Sequence, residues 1–174
     1  ELLIRLVPGG IVTTYVFEKM KEGDHMKLIG PFGDFVVQDT QADMICVAGG
    51  SGMAPIKSII NDMREKGKTD RTVWYFFGAR ALRDLFYVEQ MRKIEKEWPT
   101  FHFVPALSEP EEDDNWDGDT GLITDVLDSY FKTRIGDNPR EGYLCGSPGM
   151  IDACVKVMTD NGIGEDSIFY DKFA

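Results

Sequence analysis

Short apolar runs rich in β-branched and aromatic residues recur through the second part of the chain, from about residue 43 onward. Runs of this length and composition are typical of strands that are buried on both faces of a sheet. The pattern predicts five strands, over residues 44–48, 71–77, 101–107, 142–145 and 167–170.

The segments between these runs carry apolar residues at helical spacing. In the clearest case one helical face holds Ile56, Ile59, Ile60 and Met63. Helices are predicted over residues 53–66, 84–98, 121–133 and 148–161, and residues 109–120 are predicted to form an acidic loop. Strands that alternate with helices favour right-handed crossovers and a parallel sheet covered on both faces. We therefore expect an α/β fold, with a five-stranded, doubly wound nucleotide-binding domain over residues 42–174.

Residues 1–41 show a different pattern. Strands are predicted at residues 2–7 and 26–29, on either side of a helix that begins at about Val12. The turn-forming stretches P-G-G and G-P-F-G-D-F precede the helix and follow the second strand. Two strands cannot bury both faces of a sheet alone. We therefore expect residues 1–41 to be the C-terminal remainder of a β-barrel-like domain, which the chain enters partway through.

The amino-acid composition argues against several classes of function. A net charge of −11 argues against nucleic acid, which needs concentrated Lys and Arg, and leaves open a basic partner or mere solubility. The three cysteines have neither C-x-x-C nor cluster-binding spacing, which predicts reduced thiols in a cytoplasmic setting. His25 and His102 are isolated, so no metal site is predicted. No apolar run approaches the ~18 residues of a membrane span.

The first predicted strand runs into a cluster of glycines, in the stretch M-I-C-V-A-G-G-S-G-M-A-P. In a doubly wound sheet, ligands bind at the carboxyl ends of the strands. Gly49, Gly50 and Gly52 would let backbone N–H groups approach a diphosphate, and the N-terminus of the next helix favours the same anion. Pro55 falls in the first helical turn, where its missing N–H costs nothing. The alternative is a glycine-rich turn with no ligand.

Two more loops follow strand ends at the same predicted edge. In F-G-A-R-A-L-R-D-L-F-Y, Arg80 and Arg83 can meet phosphate or stack on adenine. Asp84 can accept hydrogen bonds from a ribose diol, which selects against a 2′-phosphate, or it can cap the helix that follows. In L-C-G-S-P-G-M-I-D, Cys145 closes a strand, either as a core residue or beside a ligand.

These stretches, in this order and with the ending D-K-F-A, resemble the ferredoxin–NADP reductase superfamily. Two further stretches are similar, more narrowly, to the F subunits of sodium-translocating NADH:quinone oxidoreductases. They are D-N-W-D-G-D-T-G-L-I-T-D-V-L at residues 114–127 and I-F-Y-D-K-F-A at the end of the chain. The resemblance implies an FAD-binding β-barrel domain, of which residues 1–41 are the C-terminal part, followed by an NAD(P)H-binding domain over residues 42–174.

The resemblance also implies roles for individual residues. Ser51 would lie near the nicotinamide carboxamide, Asp84 would favour NADH, and Cys145 would lie close to the transferred hydride. Phe173 would cover the flavin ring until the nicotinamide displaces it. The implied FAD contacts are Gly10, Val12 and Thr13. The implied NADH contacts are Gly49, Gly50, Ser51, Gly52, Met53, Ala54 and Pro55, then Gly78, Ala79, Arg80 and Asp84, and finally Cys145, Gly146, Pro148 and Met150.

The function implied is hydride transfer from NADH to FAD, followed by transfer of single electrons to an iron–sulfur centre. Hydride transfer needs alignment and exclusion of water rather than an acid–base pair. We therefore interpret the carboxylates of residues 111–114 as a solvated loop, and Trp116 as a partner contact or as packing under that loop.

The flavin motif R-x-Y-S, the ferredoxin domain and the membrane anchor of the family have no counterpart in residues 1–174. The iron–sulfur partner is therefore expected outside this chain, in a membrane complex at the cytoplasmic face of the inner membrane. Two alternatives remain open. One is the reductase component of an oxygenase or dihydroorotate dehydrogenase system, and the other is an NADH-binding interaction module without turnover.

Overall fold

The computed structural model describes residues 1–30 and 32–172, and the chain divides into two compact units, Glu1–Asp34 and Phe35–Ala174. Residues 35–41 therefore group with the second unit, whereas the sequence predicted a boundary after residue 41. In the described ranges no helix has both the length and the apolar character needed to cross a membrane.

The described residues of the first unit contain one regular element, helix α1 (Ile11–Glu18), close to the predicted position. Gly10 precedes α1, and its N–H donates to the carbonyl oxygen of Val7 at 2.9 Å. A Cβ atom at Gly10 would lie 2.7 Å from the Thr13 hydroxyl oxygen and 3.1 Å from that carbonyl oxygen. Glycine therefore allows the tight approach of the chain to the helix.

The strands predicted over residues 2–7 and 26–29 do not form in the described part of the first unit. A strand is defined by hydrogen bonds to a neighbouring strand, and a suitable residue composition alone does not supply the neighbour. These two predictions were wrong, and the assignment of residues 1–41 to a β-barrel domain stays a prediction.

The second unit is built on a six-stranded sheet in which all neighbouring strands are parallel, in the order β4-β3-β2-β1-β5-β6. The doubly wound α/β fold is thereby confirmed. The strands are β1 (Asp43–Gly49), β2 (Val73–Ala79), β3 (Phe101–Leu107), β4 (Asp119–Thr120), β5 (Arg140–Gly146) and β6 (Ile168–Lys172). The prediction of five strands missed β4, because two residues at the edge of a sheet are too few to show a period.

Four helices connect the strands: α2 (Met53–Glu65), α3 (Val88–Glu97), α4 (Ile123–Thr133) and α5 (Pro148–Asp160). The predictions for α2, α4 and α5 hold to within two residues at each end. The third helix was predicted to begin at residue 84, but Leu82–Asp84 forms a short 3₁₀ turn and α3 begins only at Val88.

The helices cover both faces of the sheet. Ile45, Phe76 and Leu144 belong to the core cluster beneath α4 and α5. Because successive strand residues point to opposite faces, Cys46 and Tyr75 lie on the other face, which α2 and α3 cover, and both are fully buried. The buried apolar runs of the sequence thus correspond to strands with no solvent face.

A buried polar cluster joins the segment before β1 to the amino end of the sheet. The Arg71 guanidinium donates to the Ala42 carbonyl oxygen at 2.6 Å and to the Glu141 carboxylate at 2.7 Å. Thr40 and Tyr143 also donate to that carboxylate, each at 2.7 Å. These contacts explain why the residues before β1 belong to the second unit.

Candidate functional site at the carboxyl ends of the strands

The order in which the chain adds strands to the sheet changes sides at β1. From β1 the chain continues to β2 and β3 on one side, and it later returns to β5 on the other side. Ligands in open parallel sheets bind at such a switch point, outside the carboxyl ends of the strands. Gly49 pairs with Gly78 and Ala48 pairs with Cys145, so the ends of β2, β1 and β5 lie side by side. The three loops singled out in the sequence therefore leave the sheet at one edge.

The turn between β1 and α2 uses its glycines for two different purposes. Gly50 has a φ of +54°, which L side chains rarely adopt, and a Cβ atom there would meet no atom within 4 Å. At Gly52 a Cβ atom would lie 2.1 Å from the Cys145 carbonyl oxygen. Gly52 thus allows the turn to pack directly on the end of β5, while Gly50 faces open space.

Met150 lies against the backbone at the mouth of the crevice between β1 and β5. A Cβ atom at Gly49 would lie 2.8 Å from the Met150 sulfur, and one at Gly146 would lie 2.6 Å from its Cε. Pro148 occupies the first turn of α5 and is exposed, and Met150 is half-buried. The thioether therefore lines the space between the two loops.

These residues fit the diphosphate of a dinucleotide. Both helices begin at this edge, and the N-terminus of a helix favours an anion. The N–H of Met53 already donates to the carbonyl oxygens of Gly50 and Ser51. The backbone at Gly50 is open to an approach, whereas the Met150 side chain lies against Gly49. Pro55 lies in the first turn of α2 as expected, and Ser51 and Ala54 are half-buried beside it.

Met53 and Cys145 are core residues of the site. The Tyr75 hydroxyl donates to the Met53 sulfur at 2.8 Å, and Met53 is fully buried beneath the glycine turn. Burial, with a smaller contribution from the charge of Asp171, raises the pKa of the Cys145 thiol to about 12. Cys145 is therefore a neutral thiol at physiological pH, and its place beside a transferred hydride stays a prediction.

The end of β2 packs on α4, and the loop that follows it closes with a short turn. A Cβ atom at Gly78 would lie 3.0 Å from the Ile123 Cβ, so the glycine also serves packing, and Ala79 is half-buried next to it. The Asp84 carboxylate accepts the N–H of Ala81 at 3.2 Å. Asp84 thus caps its own turn, and the alternative that it caps α3 was wrong.

Sequence reasoning missed the partners of Arg80 and Arg83. Arg80 donates to the Glu109 carboxylate at 2.6 Å, and Arg83 forms an ion pair with Glu111. The hydrogen bond and the charge of Glu109 raise the pKa of Arg80 above its usual value. The partners lie 29 and 28 residues apart in the chain, so no local pattern indicated them. The acidic loop is exposed, as expected, and these two ion pairs attach it to the loop after β2.

Trp116 packs on the acidic loop itself. Its indole N–H donates to the Asp119 carbonyl oxygen at 2.9 Å, and a Cβ atom at Gly118 would lie 2.4 Å from the ring. The ring is half-buried, and the Asp119 carboxylate in turn accepts the Tyr130 hydroxyl at 2.8 Å. These contacts fix the part of the loop that leads into β4.

The residues expected to contact FAD lie in the first unit, at the start of α1. The Thr13 hydroxyl already has hydrogen-bond partners nearby in the chain. It donates to the Val7 carbonyl oxygen at 3.3 Å and accepts the Val7 N–H at 3.2 Å. The backbone N–H groups after Gly10, which include that of Val12, fit a phosphate better than this hydroxyl does. Phe173 lies outside the described residues.

Comparisons with known proteins agree with this fold. The family model described as the oxidoreductase NAD-binding domain matches residues 46–156. The chain is 40% identical over 168 residues to the F subunit of the Na(+)-translocating NADH-quinone reductase of Pseudoalteromonas atlantica. That match covers 96% of this chain and 41% of the relative, so the chain spans about two fifths of the length of the curated relatives it matches.

Two solved reductases are also similar to the chain. A cytochrome P450 reductase from Amycolatopsis is 30% identical, with a TM-score of 0.85 over 98% of this chain and 50% of that one. The ferredoxin reductase in carbazole 1,9a-dioxygenase is 29% identical, with a TM-score of 0.77 over the same shares. The residues matched by the family model run from within β1 to within α5 and so contain the whole crevice. The chain therefore belongs to the oxidoreductase NAD-binding domain family.

Proposed function

We propose that the chain is the NADH-oxidising module of a flavin oxidoreductase, which passes a hydride from NADH to FAD. The observation that carries the proposal is the convergence of three strand ends at the switch point, where Gly52 packs on the Cys145 backbone and Gly50 stays open. The family membership and the relative named as part of an NADH-quinone reductase support it.

The roles proposed for the residues follow the three loops. The backbone of the turn from Gly49 to Gly52 holds the diphosphate, and Ser51 meets the nicotinamide carboxamide. The end of β2 and the loop after it hold the adenosine half through Gly78, Ala79, Arg80 and Asp84. The start of α5, with Gly146, Pro148 and Met150, lines the nicotinamide side. The proposed FAD contacts are Gly10, Val12, Thr13 and Phe173.

When bound, NADH supplies the hydride and FAD accepts it. The contribution of the chain is alignment of the two rings and exclusion of water. Cys145 suits this role because its thiol is buried and neutral, so it can line the site without adding charge or admitting water. No residue is assigned as a general acid or base, because the transfer moves no separate proton.

We further propose that electrons leave singly for an iron–sulfur centre outside this chain, in a membrane complex at the cytoplasmic face. The support is the name of the Pseudoalteromonas atlantica relative, which is one subunit of a sodium-translocating quinone reductase. The second candidate is the reductase component of an oxygenase. The two solved reductases, of a cytochrome P450 and of a carbazole dioxygenase, favour it.

The first prediction tests hydride transfer. The chain is mixed anaerobically with FAD and NADH, and loss of the visible flavin absorbance is followed in a stopped-flow instrument. Reduction faster than in the mixture without protein is expected, and Cys145→Ala should slow it by roughly ten-fold through poorer alignment. The matched control is Cys154→Ala, which removes a thiol buried on α5 in the core cluster.

Each outcome decides a different claim. If the chain binds NADH but does not accelerate flavin reduction, an NADH-binding module without turnover becomes the better description. If the chain does not bind NADH either, the proposed function is wrong. If Cys145→Ala reduces flavin as fast as Cys154→Ala does, the function stands but Cys145 has no part in alignment.

A further inference from the structure

Two buried tyrosines lie on either side of Cys46, on the face of the sheet that α2 covers. Cys46 pairs with Tyr75 of β2 and with Tyr143 of β5, and both tyrosines are fully buried. Their hydroxyl groups have partners at opposite ends of the sheet. The Tyr143 hydroxyl donates to the Glu141 carboxylate at 2.7 Å, near the amino end. The Tyr75 hydroxyl donates to the Met53 sulfur at 2.8 Å, beneath the glycine turn at the carboxyl end.

Met53 is the residue at which the glycine turn ends and α2 begins. Its N–H donates to the carbonyl oxygens of Gly50 and Ser51, so its backbone is part of the turn. Its side chain is fully buried, and an unbranched thioether can adopt several conformations in a core. A hydrogen bond to the sulfur favours one of them. The Tyr75 hydroxyl therefore fixes the side chain on which the turn rests.

The environment of Tyr75 keeps its hydroxyl a donor. Burial is the main cause that raises the pKa of Tyr75 well above its usual value, and the Cys46 and Cys145 thiols raise it further. The hydroxyl therefore stays protonated at physiological pH. The ring itself packs against Phe103, with ring centroids 5.5 Å apart. Removing the hydroxyl thus leaves the ring in its packing and takes away only the contact with Met53.

We propose that Tyr75 is a positioning residue for the diphosphate site, because its hydroxyl holds the glycine turn in place through the Met53 sulfur. Gly52 fixes the same turn from the side of β5, where the Cys145 carbonyl oxygen leaves no room for a side chain. Tyr75 fixes it from the side of β2. The inference rests on the proposed function, in which the backbone of this turn holds the diphosphate of NADH.

The experiment compares binding of ADP-ribose and of 5′-AMP to the full chain by titration calorimetry. Both ligands carry the adenosine half, but ADP-ribose adds the bridging diphosphate, and neither needs flavin. In Tyr75→Phe, we expect the affinity for ADP-ribose relative to 5′-AMP to fall roughly three- to ten-fold, because a hydrogen bond that fixes the turn is lost. The matched control is Tyr143→Phe, which removes a buried hydroxyl at the other end of the same face. Its ratio should equal that of the unaltered chain, even where its stability is lower.

A second variant tests the same contact from the side of the acceptor. Met53→Leu keeps the approximate volume of the side chain and removes the sulfur, so the ratio should fall in this variant as well. If the hydroxyl acts through the sulfur, the double variant should lose no more than the larger of the two single losses. Met53→Leu also decides the question if Tyr75→Phe does not fold.

The proposal is supported if the ratio falls in Tyr75→Phe and in Met53→Leu but not in Tyr143→Phe, and falls no further in the double variant. It is overturned if Tyr75→Phe weakens both ligands equally or changes neither, or if Tyr143→Phe lowers the ratio as much. Losses that multiply in the double variant would also overturn it, since the hydroxyl would then act elsewhere. In these cases the unaltered chain binds ADP-ribose and the nucleotide site stands. If the unaltered chain binds neither ligand, the diphosphate site of the proposed function fails, and the proposal fails with it.

Discussion

Gly50 and Gly52 lie two positions apart in one turn, yet each is a glycine for its own reason. Gly50 is required by its positive φ of +54°, and Gly52 is required by the Cys145 backbone, which leaves no room for a side chain. In the sequence, both appear only as members of a glycine cluster. The distinction matters for mutagenesis, because a flexible neighbour can move aside, whereas the backbone of β5 is fixed by its pairing with β1 and β6.

The second prediction therefore concerns Gly52→Ala. The new methyl group would lie 2.1 Å from the Cys145 carbonyl oxygen, so the turn must lift off the end of β5. We expect a loss of about 1–3 kcal/mol in the free energy of unfolding, together with weaker nucleotide binding. Denaturant unfolding followed by circular dichroism measures the first effect.

The control is Gly149→Ala on α5, where an added Cβ meets no atom within 4 Å and φ is not positive. A helical glycine replaced by alanine should leave stability unchanged or raise it by up to about 1 kcal/mol. If Gly52→Ala unfolded at the same denaturant concentration as this control, the close packing of the turn on β5 would be disproved.

At the scale of elements, the segment before β1 is attached to the sheet by a buried ion pair. Arg71 and Glu141 are 6% and 8% exposed, and their contact joins the loop before β2 to the beginning of β5. Burial alone would raise the pKa of Glu141, but hydrogen bonds from Thr40, Tyr143 and Arg71, with the charge of Arg71, lower it below its usual 4.5. The carboxylate is therefore charged in the folded chain at neutral pH.

The third prediction follows from the sign of this shift. A carboxyl group with a lowered pKa adds stability above pH 4.5, and that stability is lost as pH falls through the folded pKa. Glu141→Gln leaves Arg71 buried without its charge partner, so we expect a loss of about 3–5 kcal/mol at neutral pH. The difference from the unaltered chain should shrink in acid, which unfolding curves at several pH values would measure.

Lys66→Met is the matched control for an ion pair. It removes the exposed ion pair between Lys66 and Asp62, 2.8 Å apart near the end of α2. We expect it to lower the free energy of unfolding by less than about 0.5 kcal/mol. The stabilising role of the Arg71–Glu141 pair would be contradicted if Glu141→Gln lowered the free energy of unfolding no more than this control does. It would also be contradicted if the loss stayed constant down to acid pH.

For the whole molecule, helices on both faces of the sheet exclude solvent from every cysteine. Cys46 and Cys145 lie in strands on the face that α2 covers, and Cys154 lies on α5 in the opposite core. Burial is the main cause that raises the pKa of each thiol to about 12. The reactive thiolate is therefore scarce in the folded chain below that pH.

The fourth prediction is that thiol labelling reports global unfolding. Iodoacetamide at neutral pH should leave the three native thiols unmodified and should label all of them in guanidinium chloride, as counted by mass spectrometry. Ser58→Cys, at an exposed position on α2, is the positive control and should react in the native state. Rapid native labelling of Cys145 alone would show that the crevice admits solvent to the sulfur.

Much of this fold could be predicted from local pattern. The helix from Met53 and the strand over Phe101–Leu107 form where apolar periodicity indicated them, because burial on one or two faces repeats along each element. The start of the third helix was misplaced, since nothing near Asp84 distinguishes a short turn from a helical one. The strands predicted in residues 1–41 failed because residue composition cannot show whether a partner strand exists.

In the second unit, the sequence by itself determined most of the buried strands and helices and the position of the glycine turn after β1. Those properties depend on residues that are close along the chain. Only the tertiary structure decided that Gly52 packs on Cys145, that Glu109 lies on Arg80 and that Glu141 receives Arg71. Each of these contacts joins segments that are far apart in sequence, and the order and register of the strands bring them together.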